Sequence, residues 1–262
     1  MEFSGRHVLI TGGGSGIGSA LADRFAKEGP SGITIVDVTG ADETATRVGG
    51  FGIHADVSTE SEVQRVIAEA TEHFGPIDLY FSNAGVARPI GGVDVADEGW
   101  QQHWDTHVMS HVWATRALLP GMISRGSGYL VNTASSAGLL MSPGAAPYTV
   151  SKHAALALAE SFAVMYSDTG IRFSCLCPGL VETPLMSDVD NEAAGRAVRM
   201  ASQSMDATTV ADITVRGLIE ERFLILPHAA ETIGAARLRA TEPETYLGVM
   251  QDFWHAAQNR SS

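Results

Sequence analysis

An α/β fold, a doubly wound parallel sheet with helices on both faces, is predicted as a single domain over residues 1–262. Three observations predict it. A short apolar run near the N-terminus feeds a glycine-rich turn, Thr11-Gly12-Gly13-Gly14-Ser15-Gly16-Ile17-Gly18. Apolar strand-like segments then alternate with segments of helical period, the pattern of repeated βα units. Tyr148 and Lys152 stand four positions apart, thirteen residues and more beyond Ser135.

His7 to Ile10 is the first strand, and Ala20, Leu21 and Phe25 continue from the turn at helical spacing to Lys27. A strand, a glycine-rich turn and a helix start form a phosphate cradle, because backbone N–H groups and the helix dipole face an anion. Ile33 to Asp37 is the second strand, ending in a carboxylate about twenty residues past the loop. Such a carboxylate accepts hydrogen bonds from the ribose hydroxyls of an adenine dinucleotide and repels a 2′-phosphate. NAD(H) is therefore expected over NADP(H).

Phe51 to Ala55 is a third strand, followed by Asp56-Val57. Thr59 and Glu62 form a capping box for a helix whose buried stripe is Val63, Val66, Ile67, Ala70 and Phe74. Asp78 to Ser82 is the fourth strand and runs into Asn83-Ala84-Gly85. A long helix from Trp100 to Arg125 is expected to bend or end near Pro120. Tyr129 to Thr133 and Arg172 to Cys177 are the fifth and sixth strands, with the Tyr148 helix between them. That helix is apolar around much of its girth from Ala154 to Ala159, which predicts packing against a second helix, of this subunit or another.

After Pro178-Gly179 the pattern loosens. Met186 to Met205 mixes Asp, Asn, Gly and Arg with three methionines. It reads either as a mobile lid over an apolar substrate, within 186–208, or as an ordinary surface helix and loop. Thr209 and Asp212 are expected to cap a helix with Val215, Leu218 and Ile219 inward, and Phe223 to Leu226 is the last strand. Two short helical segments complete a C-terminal extension, 227–262.

The four-residue spacing puts Tyr148 and Lys152 on one face of a helix, about one turn apart. A cation beside a phenol favours the phenolate, so the tyrosine becomes a usable base nearer neutral pH. Ser135 lies in Val-Asn-Thr-Ala-Ser-Ser at the end of an apolar run and adds a hydroxyl. The net charge of −13 disfavours nucleic acid and anionic lipid as partners. Met1-Glu2 opens acidic and the first apolar run is short, so neither a signal peptide nor a membrane span is expected. Cys175 and Cys177 share one strand face with no second pair for a metal, and read as small buried hydrophobes in a reducing compartment. The cytoplasm is the expected location.

In this order and at these spacings, the T-G-x-x-x-G-I-G turn, Asp37, Asp56-Val57, Asn83-Ala84-Gly85, Ser135, Tyr148/Lys152 and Pro178-Gly179-Leu180-Val181-Glu182-Thr183 resemble the short-chain dehydrogenase/reductase family. The resemblance covers residues 6 to about 226. The glycine spacing is similar to that of single-domain members rather than of extended, epimerase-like ones, which carry glycine at the position of Ser15. The resemblance implies a Rossmann-like catalytic domain in which Tyr148 is the general acid/base. It gives Lys152 the tasks of lowering the Tyr148 pKa and holding the nicotinamide ribose, and Ser135 that of binding the substrate oxygen. It puts Gly12, Ser15, Ile17 and Gly18 along the phosphates and ribose, and Asp56 and Val57 near adenine. Asn83, Ala84 and Gly85 would follow the cofactor, with Pro178, Gly179, Val181 and Thr183 near the carboxamide. The implied reaction interconverts a secondary alcohol and a ketone, and the implied assembly is a homodimer or homotetramer.

Two departures from the family pattern stand out. His107 occupies a position where family members carry an asparagine that helps relay protons, a task an imidazole can also perform. It stands between His103 and His111, without the carboxylate or cysteine that a metal site would add. At the C-terminus, Pro227-His228 replaces the Asp-Gly-Gly of many relatives. Leu139, Leu140 and Met141 suggest an apolar pocket for the alcohol or ketone. A catalytically silent, NAD-responsive binding protein on the same fold is the alternative, and an epimerase or dehydratase a third reading that the loop spacing weakens.

Overall fold

Parallel strands need crossovers that climb back over the sheet, and this chain supplies helices for them. The computed structural model describes residues 2–259. In chain order its strands are β1 (His7–Thr11), β2 (Gly32–Asp37), β3 (Phe51–His54), β4 (Leu79–Ser82), β5 (Gly128–Thr133), β6 (Ile171–Leu176), β7 (Val181–Glu182), β8 (Met205–Asp206) and β9 (Leu224–Ile225). Its first helices are α1 (Gly16–Ala26), α2 (Ala41–Val48), α3 (Glu60–Phe74), α4 (Asp97–Trp104), α5 (Ser110–Arg125) and α6 (Ala146–Met165). They are followed by α7 (Pro184–Ser187), α8 (Ala193–Ala201), α9 (Ala207–Ile219), α10 (Ala229–Thr241) and α11 (Pro243–Gln258).

Seven strands form one parallel sheet in the order β3-β2-β1-β4-β5-β6-β9, while β7 pairs with β8 apart from it. Strand residues alternate between faces, and both faces are covered. From β1, Val8 and Ile10 join Leu21 and Phe25 of α1 and Val215 and Leu218 of α9 in one core. Leu9 points the other way, into a core with Val63 and Val66 of α3 and Leu118 and Met122 of α5. The strand order reverses between β1 and β4, which opens a crevice at the carboxyl ends of the strands. Cys175 and Cys177 lie buried against Ala155 and Ala159, their sulfurs 3.8 Å apart.

Several elements differ from expectation. Helix α2 has no large apolar stripe, burying only Ala41, Thr44 and Ala45, and so leaves little periodic signal. The long helix begins at Asp97 and contains a π-helical turn at Asp105–Met109. It continues past Pro120 to Arg125. Pro120 is on the exposed side, where solvent can satisfy the carbonyl that loses its N–H partner. The cap of α9 is Asp206, which accepts from the Thr209 N–H at 2.8 Å, while Asp212 pairs with Arg24. Ile219, expected inward, is 40% exposed at the end of that helix. The Met186–Met205 stretch folds into α7 and α8, and the pairing of Val181 with Met205 closes its base. The C-terminal helices have 13 and 16 residues, longer than the sequence pattern suggested. Among the described residues no helix is long and apolar enough to cross a membrane.

Candidate active site

At the end of β1 the chain turns sharply through Gly12, whose φ is +63°. A Cβ there would come within 2.7 Å of the Ala84 Cα, so glycine alone fits both the conformation and the space. Ser15 precedes α1 without a side-chain capping bond, which leaves the first-turn N–H groups to meet an anion. Asp37 closes β2 and accepts from the Gly14 N–H at 2.9 Å and the Thr39 N–H at 3.1 Å. Asn83 braces the turn, its amide donating to the carbonyls of Thr11 (3.1 Å) and Gly12 (3.2 Å) while its Oδ1 accepts from Thr133. These groups fit an adenine dinucleotide: an anion-binding turn, a carboxylate at the next strand end and an apolar slot at Ala55 and Val57. Asp37 and Asp56 line the cleft, and among the described residues no arginine does.

The reactive groups gather at the ends of β5 and β6. Ser135 accepts from the Ala137 N–H at 3.1 Å and donates to the Pro178 carbonyl at 3.4 Å. Lys152, one turn beyond Tyr148 on α6, is 3% exposed and donates to the Thr133 carbonyl at 2.9 Å. Its Nζ lies 5.6 Å from the centre of the Tyr148 ring. Burial pulls the Lys152 ammonium down to about 8, against the opposing influence of Cys175 and Cys177. Tyr148 is pushed above its ordinary value by burial, which outweighs its hydrogen bond with Ser135. The lowering expected from a neighbouring cation is thus not the controlling effect in the free protein, because burial disfavours both charged forms.

His107 sits in the π-helical turn. Its Nε2 accepts from the Val86 N–H at 3.0 Å, so the ring proton is on Nδ1 and is donated to Ser151 Oγ at 2.9 Å. Ser151 in turn donates to the Tyr148 carbonyl at 3.0 Å. Both ring nitrogens are engaged, and burial, then Lys152, holds this imidazole well below the usual histidine range. His103 donates through Nε2 to the Pro89 carbonyl. Among the described residues no group of three or more His, Cys, Asp or Glu is placed to hold a metal ion.

These residues border one cleft of about 770 Å³. Gly12, Ser15, Ile17, Asp37, Asp56, Val57, Asn83, Ala84 and Gly85 lie along it, with His107, Ser135, Tyr148, Lys152, Pro178, Gly179, Val181 and Thr183. Gly18 lies apart, beneath the turn, where a Cβ would meet the Gly12 carbonyl oxygen at 2.0 Å. Beyond Tyr148 the cleft is apolar, with Ile90, Leu140, Val198, Leu238, Met250 and Phe253 on its walls.

Three C-terminal contacts that sequence reasoning missed clasp the loop before Tyr148. Arg239 donates to the Leu139 carbonyl at 2.6 Å, and the Met141 N–H donates to the Tyr246 hydroxyl at 3.0 Å. Trp254 packs on Gly144, where a Cβ would be 2.3 Å from the indole. Such contacts span about a hundred residues and leave no local period. The aromatic residues of α11 were the available signal.

The sequence profile of the short chain dehydrogenase family matches residues 6–194. The chain is similar to 1-deoxy-11-beta-hydroxypentalenate dehydrogenase of Streptomyces exfoliatus, 34% identical over 239 residues, 87% of this chain and 85% of that protein. It is also similar to 2-(R)-hydroxypropyl-CoM dehydrogenase of Xanthobacter autotrophicus, 37% identical over 191 residues, 69% of this chain and 76% of that one. A solved short chain dehydrogenase/reductase from Burkholderia phymatum, in complex with NAD, aligns with a TM-score of 0.84 at 31% identity. That alignment covers 94% of this chain and 96% of the other.

Proposed function

The chain belongs to the short chain dehydrogenase family, oxidoreductases of hydroxyl and ketone groups, and we propose that it interconverts a largely apolar secondary alcohol and its ketone with NAD(H). The observation that carries this reading is the convergence of Ser135, Tyr148 and Lys152 where the dinucleotide cradle meets the apolar end of the cleft. Nicotinamide, when bound, supplies the acceptor or donor of the hydride. In the oxidation direction Tyr148 Oη takes the alcohol proton while Ser135 Oγ hydrogen-bonds the same oxygen. Lys152, on the face of the ring, stabilises the phenolate form of Tyr148 that accepts this proton. His107 serves as a positioning residue, tying the Val86 loop to the backbone of Tyr148.

Asp37, with no arginine on the cleft among the described residues, favours NAD(H) over NADP(H). Helices α7 and α8 form a lid within 186–208, and α10 and α11 of the C-terminal extension form the pocket roof. The outer face of α6 exposes Val150, Ala157, Val164 and Met165, interrupted by Ser161 and edged by Glu160, a mixed surface suited to a second copy of the chain in a homodimer or homotetramer.

NADH formation across cyclic, aromatic and aliphatic secondary alcohols tests the reading, with Tyr148→Phe alongside. Turnover is expected in the native protein and a loss of about 10²–10⁴-fold in the variant. Equal rates in both would remove Tyr148 from the mechanism. Tight NADH binding with silence on every alcohol would favour the binding-protein reading.

A further inference from the structure

The peptide group between Pro178 and Gly179 is held at both ends. Its carbonyl oxygen accepts from the Ser136 N–H at 2.7 Å and from the Ser135 hydroxyl at 3.4 Å. Its N–H donates to Nδ1 of His228 at 3.0 Å. The imidazole packs so close to Gly179 that a Cβ there would be 2.8 Å from the ring Cγ. His228 is 7% exposed and stands at the N-terminal end of α10, where its own carbonyl accepts from the Thr232 N–H.

Because Nδ1 accepts, the ring proton is on Nε2. That atom is buried and has no hydrogen-bond partner among the described residues. A buried donor without an acceptor is unfavourable, and a phenyl ring would fill the same space without it. What the imidazole adds over such a ring is its acceptor at Nδ1. Without that acceptor the Gly179 N–H would itself be stranded, and the peptide could regain a partner only by turning, which carries the Pro178 oxygen away from Ser135.

We propose that His228 is a positioning residue for Ser135, acting through the Pro178–Gly179 peptide to hold the serine hydroxyl within hydrogen-bond reach of the substrate oxygen. This rests on the alcohol–ketone reading above. It also couples the C-terminal extension to the reactive end of the cleft, across 93 residues of sequence.

The test compares native protein, His228→Phe and His228→Asn in steady-state oxidation of an accepted alcohol, with NADH affinity measured by fluorescence. The phenyl ring keeps the shape and removes the acceptor; the asparagine Oδ1 restores an acceptor near the place of Nδ1. His228→Phe is expected to lower kcat about tenfold with NADH affinity within about twofold, and His228→Asn to recover most of kcat. An unchanged kcat in His228→Phe overturns the proposal, as does an Asn variant no better than Phe. Where the Phe variant does not fold, long-range ¹H–¹⁵N spectra of the native imidazole decide. A proton on Nε2 with Nδ1 accepting supports the contact, and a proton on Nδ1 overturns it. A native protein silent on every alcohol overturns the reaction reading and the kinetic consequence with it, while the same spectra still decide whether His228 holds the peptide.

Discussion

Two single residues carry opposite electrostatic burdens. Lys152 is buried and drawn down to about 8, whereas an unfolded lysine titrates at about 10.4. Between those values the unfolded chain binds a proton that the folded protein has released, so this site's contribution to stability rises with pH across that window and is least favourable below pH 8. Lys152→Met should therefore stabilise the fold at pH 7, by roughly 1–2 kcal/mol after the Thr133 carbonyl loses its donor, and the gain should shrink toward pH 10. Urea unfolding of both proteins at the two pH values checks this; a variant less stable at both would refute it. At Asp37 the expected effect is on selectivity instead. Replacing it by Ser should leave NAD⁺ usable and raise kcat/KM for NADP⁺ by about tenfold or more, read from the ratio of the two cofactors. These residues were legible in the sequence because each sits at a fixed offset from a glycine turn or a helical turn. Gly18 shows the limit of such reading: the motif names the residue, but close packing against the Gly12 carbonyl gives it a place below the cleft.

At the scale of elements, the sheet strands announced themselves as apolar runs, since strands buried on both faces carry little else. Helix α2 was silent because three small buried residues suffice to seat it. The π-helical turn was equally silent, for nothing in the periodicity marks the place where one residue is added. The roof could be anticipated only as a divergence from the family pattern, since its contacts reach back from α10 and α11 to the loop before Tyr148. Tyr246 makes that reach measurable. Tyr246→Phe leaves the Met141 N–H without its acceptor and should cost about 1–3 kcal/mol in the roof's hold on the loop. The expected result is a several-fold rise in KM for the alcohol with little change in KM for NAD⁺. A change confined to NAD⁺ would place Tyr246 outside the substrate end.

For the whole molecule, α6 is the pivot. One side faces β5 and β6, another faces α4, and the reactive pair Tyr148 and Lys152 lies on it. Its remaining side exposes Val150, Ala157, Val164 and Met165 beside Glu160 and Ser161, and association through that side would set one subunit's helix behind Tyr148 of another. Ala157→Glu places a charge on that side and should lower the mass measured by light scattering from an oligomer to a monomer; an unchanged mass would move the interface elsewhere. The composition that gives a net charge of −13 makes such a monomer soluble enough to measure.

The late position of the roof has a consequence for biosynthesis. Synthesis delivers β1 to β6 first, and with them the turn, Asp37, Ser135, Tyr148 and Lys152. The edge strand β9, His228 and both roof helices leave the ribosome afterwards, over a few seconds at ordinary elongation rates. The residues of the turn and the strand ends are thus made before those that close the far end of the cleft. Because Val215 and Leu218 of α9 and Ile225 of β9 share the core of β1, the sheet gains its full packing only when this last third of the chain has emerged.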